Sequence, residues 1–106
     1  MEGINFREKL QSKMDCCAHR VYAATKNFPK EELYSTVSQL RRAALSVVLN
    51  FVEGYARRVN GNDGNFRNFL NISYGSLKES RYLLDFSLIE GYIQEDFHRE
   101  IGRAHV

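Results

Sequence analysis

The chain has 106 residues, with 15 Lys and Arg against 13 Asp and Glu for a net charge of +2. Hydrophobic residues make up 43% and charged residues 26%, the profile of one ordinary globular domain spanning residues 1–106. That profile excludes a collagen-like, disordered or disulfide-framework chain, and so mild a charge is no nucleic-acid signature by itself.

The N-terminus, Met1-Glu2-Gly3-Ile4-Asn5-Phe6-Arg7, has no apolar signal core. The longest apolar run, around Ala43 to Leu49, falls far short of the ~20 residues of a membrane span. A cytoplasmic protein with no membrane partner is expected. Cys16 and Cys17 are adjacent, point about 100° apart on a helix and cannot pair without strain, so they read as small apolar fillers.

The first predicted helix covers about 4–27, where Leu10, Met14, Cys17, Val21, Ala24 and Phe28 step 4-3-4-3-4. Pro29, the single proline, suits the first position of a second helix over about 30–57, with Glu31 and Glu32 at its positive end. This helix carries two apolar stripes. One runs Leu33, Val37, Leu40, Ala44, Val47, Phe51 and the other Leu45, Val48, Val52, which implies burial on two sides, as in a bundle interior or an oligomer interface. Arg57 to Gly64 is polar, Gly/Asn-rich and aperiodic and reads as a loop.

A third helix over about 65–90 is capped by Asp63 or Asn65 and striped by Phe66, Leu70, Ser73, Leu77, Leu84 and Leu88. The small residues around Gly75 suggest a close helix approach there, and Gly91 reads as the C-terminal stop. A fourth helix over about 94–103 places Phe97 inward. Four helices joined by short turns predict an all-α, antiparallel up-down-up-down bundle with a shortened fourth helix. That length leaves apolar surface on the first and third helices uncovered. One coding of residues 101–106 reads as the start of a common sequencing adapter. The gene product is therefore expected to continue beyond Glu100, with this tail as assembly read-through.

No constellation for catalysis emerges. A di-metal bundle needs two Glu-x-x-His motifs, and Glu95-x-x-His98 occurs once. Cys16 and His19 supply two ligands where structural zinc takes four. Ser46 and Ser76 have no glycine elbow and no nearby histidine in sequence. Neither a cofactor nor a metal is expected. Asn50, Glu53 and Glu79 fall on or beside apolar stripes and read as a structural polar network, with Arg41 or Arg42 the partner of Glu79 in an antiparallel packing. The basic residues Arg41, Arg42, Arg57, Arg58 and Arg67 have two readings, a solvated face with intrahelical pairs or a phosphate-binding surface.

The blocks Asn27-Phe28-Pro29-Lys30-Glu31-Glu32-Leu33-Tyr34, Ser38-Gln39-Leu40-Arg41-Arg42-Ala43-Ala44-Leu45-Ser46-Val47 and Asn50-Phe51-Val52-Glu53-Gly54-Tyr55 carry a resemblance. So do Phe66 to Ile72, Gly75 to Glu79 and Gly91-Tyr92-Ile93. Together they resemble the four-helix-bundle proteins encoded by intervening sequences in bacterial 23S ribosomal RNA genes, a family to which the accessory protein of diversity-generating retroelements is related. The resemblance implies a ring-shaped homopentamer without enzymatic activity. In the retroelement branch the ring is basic, binds nucleic acid and docks on a reverse transcriptase. By position it marks Arg41, Arg42, Arg57, Arg58 and Arg67 as RNA or DNA backbone contacts. Two departures stand out: Val48 and Leu49 occupy positions where the family usually has Pro and a small residue, and the loop from Asn60 to Gly64 is richer in glycine and less basic. The function expected is a non-catalytic, oligomeric, nucleic-acid-binding accessory protein. The alternative is a scaffold that docks a partner such as a reverse transcriptase without touching nucleic acid.

Overall fold

In a computed structural model that describes residues 5–104, the chain forms four α-helices and, among the described residues, no strand. They are α1 (Phe6–Thr25), α2 (Ser38–Val59), α3 (Asp63–Ile89) and the short α4 (Glu95–Ala104). The expected start of the first helix at Ile4 lies outside the described residues. Asn5 caps α1 through a reciprocal pair: the Glu8 amide donates to its side chain at 2.8 Å, and its own amide donates to the Glu8 carboxylate at 3.4 Å.

Pro29 does not open an α-helix. Lys30–Glu32 forms a 3-10 turn and Leu33–Val37 a π-helical segment before α2 begins. Ser35 and Thr36 turn their hydroxyls back onto the Glu32 carboxylate, and such local bonds compete with the regular helical ladder. From Ser38 onward α2 is unbroken through Val48 and Leu49, as expected once the helix donors are restored there.

The long loop expected from Arg57 to Gly64 shrinks to three residues. Gly61, at φ +84°, ends α2 with two bonds: its own amide to the Arg58 carbonyl at 2.9 Å and the Asn62 amide to the Arg57 carbonyl at 3.0 Å. Asn62, rather than Asp63 or Asn65, then caps α3 by accepting the Asn65 amide at 3.0 Å. The aperiodic polar residues therefore belong to helix ends whose outer faces meet water. Gly91, at φ +80°, closes α3 with the same two-bond pattern.

The α2–α3 hairpin is the frame of the molecule. Val47, Gly54, Ser73, Ser76 and Ser80 line its seam and are buried, so the two backbones lie close together. A Cβ on Gly54 would stand 3.1 Å from the Phe69 Cβ and 3.3 Å from the Phe66 carbonyl. Gly75, expected to mark the close approach, is exposed with open space around it. One residue before Ser76 and two after Ser73, it is turned about 100° and about 200° round α3 from those seam serines.

Helix α1 lies across one face of this hairpin, bringing Leu10, Met14 and Cys17 over Ala44 and Val47 of α2 and over Leu77 of α3. Helix α4 packs beside it, with Phe97 half-buried and Ile101 fully buried in a core that includes Val21, Phe28, Leu40, Leu84 and Ile93. Ile101 is the first residue of the stretch read as a read-through tail; His105 and Val106 lie outside the described residues. The body is a slab with extents of 45 × 32 × 17 Å. No described helix is long and apolar enough to cross a membrane.

Candidate nucleic-acid interface

The five arginines expected to share one surface separate into three settings. Arg41 is half-buried and turned inward: its Nε donates to Thr25 Oγ1 at 2.8 Å, its Nη2 to the Tyr22 carbonyl at 3.4 Å, and its guanidinium lies 4.7 Å from the Tyr22 ring centre. It joins α2 to the C-terminus of α1 and is not presented to solvent as a phosphate contact. Arg42 is exposed one position on, with no ion pair among the described residues.

The remaining three gather at the tip of the hairpin, about 22 Å along α2 from Arg42 at ~1.5 Å per residue. Arg58 lies 4.8 Å from the Phe66 ring centre and Arg57 5.6 Å from that of Phe69, while Arg67 is exposed on the first turns of α3. A fourth arginine joins them from the start of α1. Arg7 sits 4.3 Å over the Tyr55 ring, and Tyr55 in turn meets Phe66 edge-on at 4.9 Å and Phe51 at 4.9 Å. Sequence spacing could not place Arg7 here, because nothing local says which end of the bundle α1 starts from. The aromatic residues Tyr55, Phe66 and Phe69 around the turn were the available signal.

A guanidinium laid on a ring keeps its N–H edge free for an anion while losing less side-chain freedom on binding, which favours bidentate phosphate contacts. Glu53 partly offsets the charge, since its carboxylate pairs with Arg57 at 2.8 Å. Asp63 adds a negative charge at the exposed start of α3.

Asn50, Glu53 and Glu79 do not form the network read from the sequence. Asn50 is half-buried and donates to the Ser46 carbonyl at 2.8 Å and hydroxyl at 2.9 Å. Glu53 belongs to the arginine tip. Glu79 is exposed, and neither Arg41 nor Arg42 reaches it within the chain. The buried polar seam is instead made of serines: Ser73 donates to the Val47 carbonyl at 2.6 Å, Ser76 to the Ser46 hydroxyl at 2.8 Å, and Ser80 and Ser87 to carbonyls of their own helix. Every one of these bonds satisfies a group that would otherwise be costly to bury.

The Glu95-x-x-His98 pair is divided between two contacts. His98 meets Asp85 of α3 at 2.7 Å, latching α4, and Glu95 pairs with Arg99 at 3.8 Å. Among the described residues no three His, Cys, Asp or Glu side chains come together as a metal-ligand group. Cys16 is exposed and Cys17 buried; burial pushes the Cys17 thiol up to about 12, with Cys16 beside it adding to the shift.

Compared with known proteins, residues 9–104 match the family model described as 23S rRNA-intervening sequence protein. None of the curated proteins compared matches the chain.

Proposed function

We propose that this chain, which belongs to the 23S rRNA-intervening sequence protein family, is a non-catalytic, oligomeric accessory protein that grips nucleic-acid backbone with the arginine tip of its α2–α3 hairpin. The observation that carries the reading is the convergence of Arg7, Arg57 and Arg58 on the aromatic residues Tyr55, Phe66 and Phe69 at the tip, with Arg67 exposed on the first turns of α3. Such groups neutralise phosphates without reading bases, so the contact is sequence-independent and strongly salt-dependent. The resemblance to the retroelement accessory proteins supports a ring of several copies, in which one tip per chain multiplies the effect.

The test is fluorescence-anisotropy binding of a short structured RNA and of its DNA counterpart over a salt series. Log affinity should fall steeply with log salt for both, and the triple variant Arg57→Ala, Arg58→Ala, Arg67→Ala should bind neither at 50–100 mM salt. Binding to neither nucleic acid by the wild-type protein would overturn the reading and favour a scaffold that docks a protein such as a reverse transcriptase.

A further inference from the structure

At the end of the bundle opposite the arginine tip, the chain forms a crevice of about 440 Å³ walled by Ala24, Asn27, Tyr92, Ile93, Gln94 and Phe97. That volume is in the range of small-molecule sites. Ala24 lies about 25 Å along α1 from Arg7 at ~1.5 Å per residue. Ala24 and Ile93 are buried and give the crevice an apolar floor, and the half-buried rings of Tyr92 and Phe97 add aromatic surface. Asn27 and Gln94 are exposed, and neither side-chain carboxamide has a hydrogen-bond partner among the described residues. No charged side chain of the described residues lines the crevice.

The walls are anchored from several sides. Gly91, at φ +80°, turns the chain at the end of α3 and delivers Tyr92 and Ile93. The Tyr92 ring centre lies 5.5 Å from that of Phe28, and its hydroxyl donates to the Glu32 carboxylate. Ser35 donates to the same carboxylate at 2.9 Å and Thr36 at 2.5 Å. The π-helical segment before α2 thus holds Tyr92 in place through Glu32, and such segments recur at functional sites. Phe97 adjoins His98, whose contact with Asp85 ties α4 to α3. Burial, then the Glu32 carboxylate, raises the Tyr92 hydroxyl above its ordinary value, so this wall stays neutral.

We propose that the crevice takes a nucleobase, adenine in preference to guanine, stacked on the Phe97 ring and hydrogen-bonded by the Asn27 and Gln94 carboxamides.

An uncharged lining suits an uncharged occupant, because an ion entering it would lose hydration without gaining a partner. Glu32, Glu90 and Glu31 act on the Tyr92 hydroxyl, and their field keeps phosphate groups outside, so that only the base enters. The ring and the apolar floor favour a flat face, and the carboxamides favour an edge with a donor beside an acceptor. A nucleobase supplies both. Asn and Gln match the N6 donor and N7 acceptor of adenine, whereas the O6 and N7 of guanine both accept and suit Arg or Lys, which do not line the crevice. An aliphatic ligand would leave both carboxamides without a partner. The site lies apart from the arginine tip and does not depend on it. The base can come from a free nucleoside or from an unpaired position of a strand.

The experiment is titration of the full chain with adenosine, guanosine and a single-stranded deoxyadenylate tetranucleotide, followed by nitrogen-edited NMR of the backbone and carboxamide groups. Adenosine should saturate with a dissociation constant on the order of 0.1–1 mM and shift the Asn27 and Gln94 carboxamide signals. Guanosine should bind at least about fivefold more weakly. Asn27→Ala removes a side chain that makes no bond in the fold, and Phe97→Leu keeps the apolar contact while removing the stacking face. Each should weaken adenosine at least about fivefold, with native helicity by circular dichroism. No saturation below about 10 mM, shifts centred elsewhere, guanosine equal to adenosine, or either variant binding adenosine like the wild type would each overturn the assignment. A tetranucleotide that binds more tightly than adenosine and is weakened by the same two variants makes a strand the source. One that binds no better, or that the variants leave unchanged, makes the free nucleoside the source. The triple variant Arg57→Ala, Arg58→Ala, Arg67→Ala separates this site from the tip: unchanged adenosine affinity keeps the crevice whatever becomes of strand binding there.

Discussion

Arg41 Nε donates to Thr25 Oγ1 at 2.8 Å, and that hydroxyl donates in turn to the Val21 carbonyl at 2.8 Å. Helix α1 has no basic residue in its own last turn, so an arginine from α2 reaches across to serve the carbonyls and the negative end of its dipole. Two hydrogen bonds and the contact with the Tyr22 ring hold it there. Arg41→Ala should lower unfolding stability by about 1–3 kcal/mol, the range for partly buried bonds to a charged donor. Urea denaturation measures it, and loss of RNA affinity without loss of stability would show instead that Arg41 works at the surface.

Gly54 is where α2 and α3 come closest. Its replacement by Ala sets a methyl 3.1 Å from the Phe69 Cβ and 3.3 Å from a backbone carbonyl, and the neighbouring helix must shift. Gly54→Ala is expected to cost about 1–3 kcal/mol despite the better helix propensity of alanine. Gly75→Ala meets nothing within 4 Å and should gain up to ~1 kcal/mol. Paired thermal melts distinguish the two. Equal gains would mean that the hairpin seam is looser than its serine bonds indicate.

The contrast between these glycines shows where sequence reading succeeds and stops. Four helices were legible because stripes such as Leu10, Met14, Cys17, Val21 and Ala24 repeat at helical spacing and end at Pro29, Gly61 and Gly91. Which stripe faces which neighbour depends on the relative rotation of the helices, and no local signal carries that. Gly54 and Gly75 look alike in sequence, yet one lies in the seam and the other in water. Arg41 and Arg42 are adjacent, yet one residue of rotation, about 100°, turns the first onto α1 and leaves the second outside. The three tip arginines were legible because they flank one turn; Arg7 joins them only through the packing of α1.

Folding shifts the ionisation of Glu32 downward and that of Cys17 upward. The hydroxyls of Thr36, Ser35 and Tyr92 hold the Glu32 carboxyl below the usual carboxylate range. A carboxyl lowered in the fold stabilises it above the unfolded value, and the benefit is lost as pH falls through the folded one. Glu32→Gln should therefore flatten the acid limb of the stability profile as pH falls below the ordinary carboxylate range. Cys17 acts at the other end. Its thiol ionises near 9.0 when unfolded and at about 12 in the core, so the folded state loses stability as pH climbs across that interval. Cys17→Ala should remove this alkaline loss, visible as a smaller drop in melting temperature between neutral and strongly alkaline buffer. A fold equally sensitive to alkali without Cys17 would put the origin elsewhere.

Under the proposed function, the salt dependence of any RNA binding separates the arginines by role. Each phosphate neutralised on a duplex contributes about −0.9 to the slope of log affinity against log salt. Arg58 and Arg7 lie over the Phe66 and Tyr55 rings and are exposed, so Arg58→Ala and Arg7→Ala should each make the slope shallower by ~1. Arg57 shares its charge with Glu53, and Arg57→Ala should change the slope less than Arg58→Ala does. Arg41→Ala, measured well below its melting temperature, should leave the slope where it was, since that guanidinium is committed to Thr25 and Tyr22. Arg42→Ala, about 22 Å along α2 from the tip, should change the slope less than Arg58→Ala does. The ordering itself is the readout. If Arg41→Ala flattens the slope and the tip variants do not, phosphate contact lies along α2 rather than at the hairpin turn.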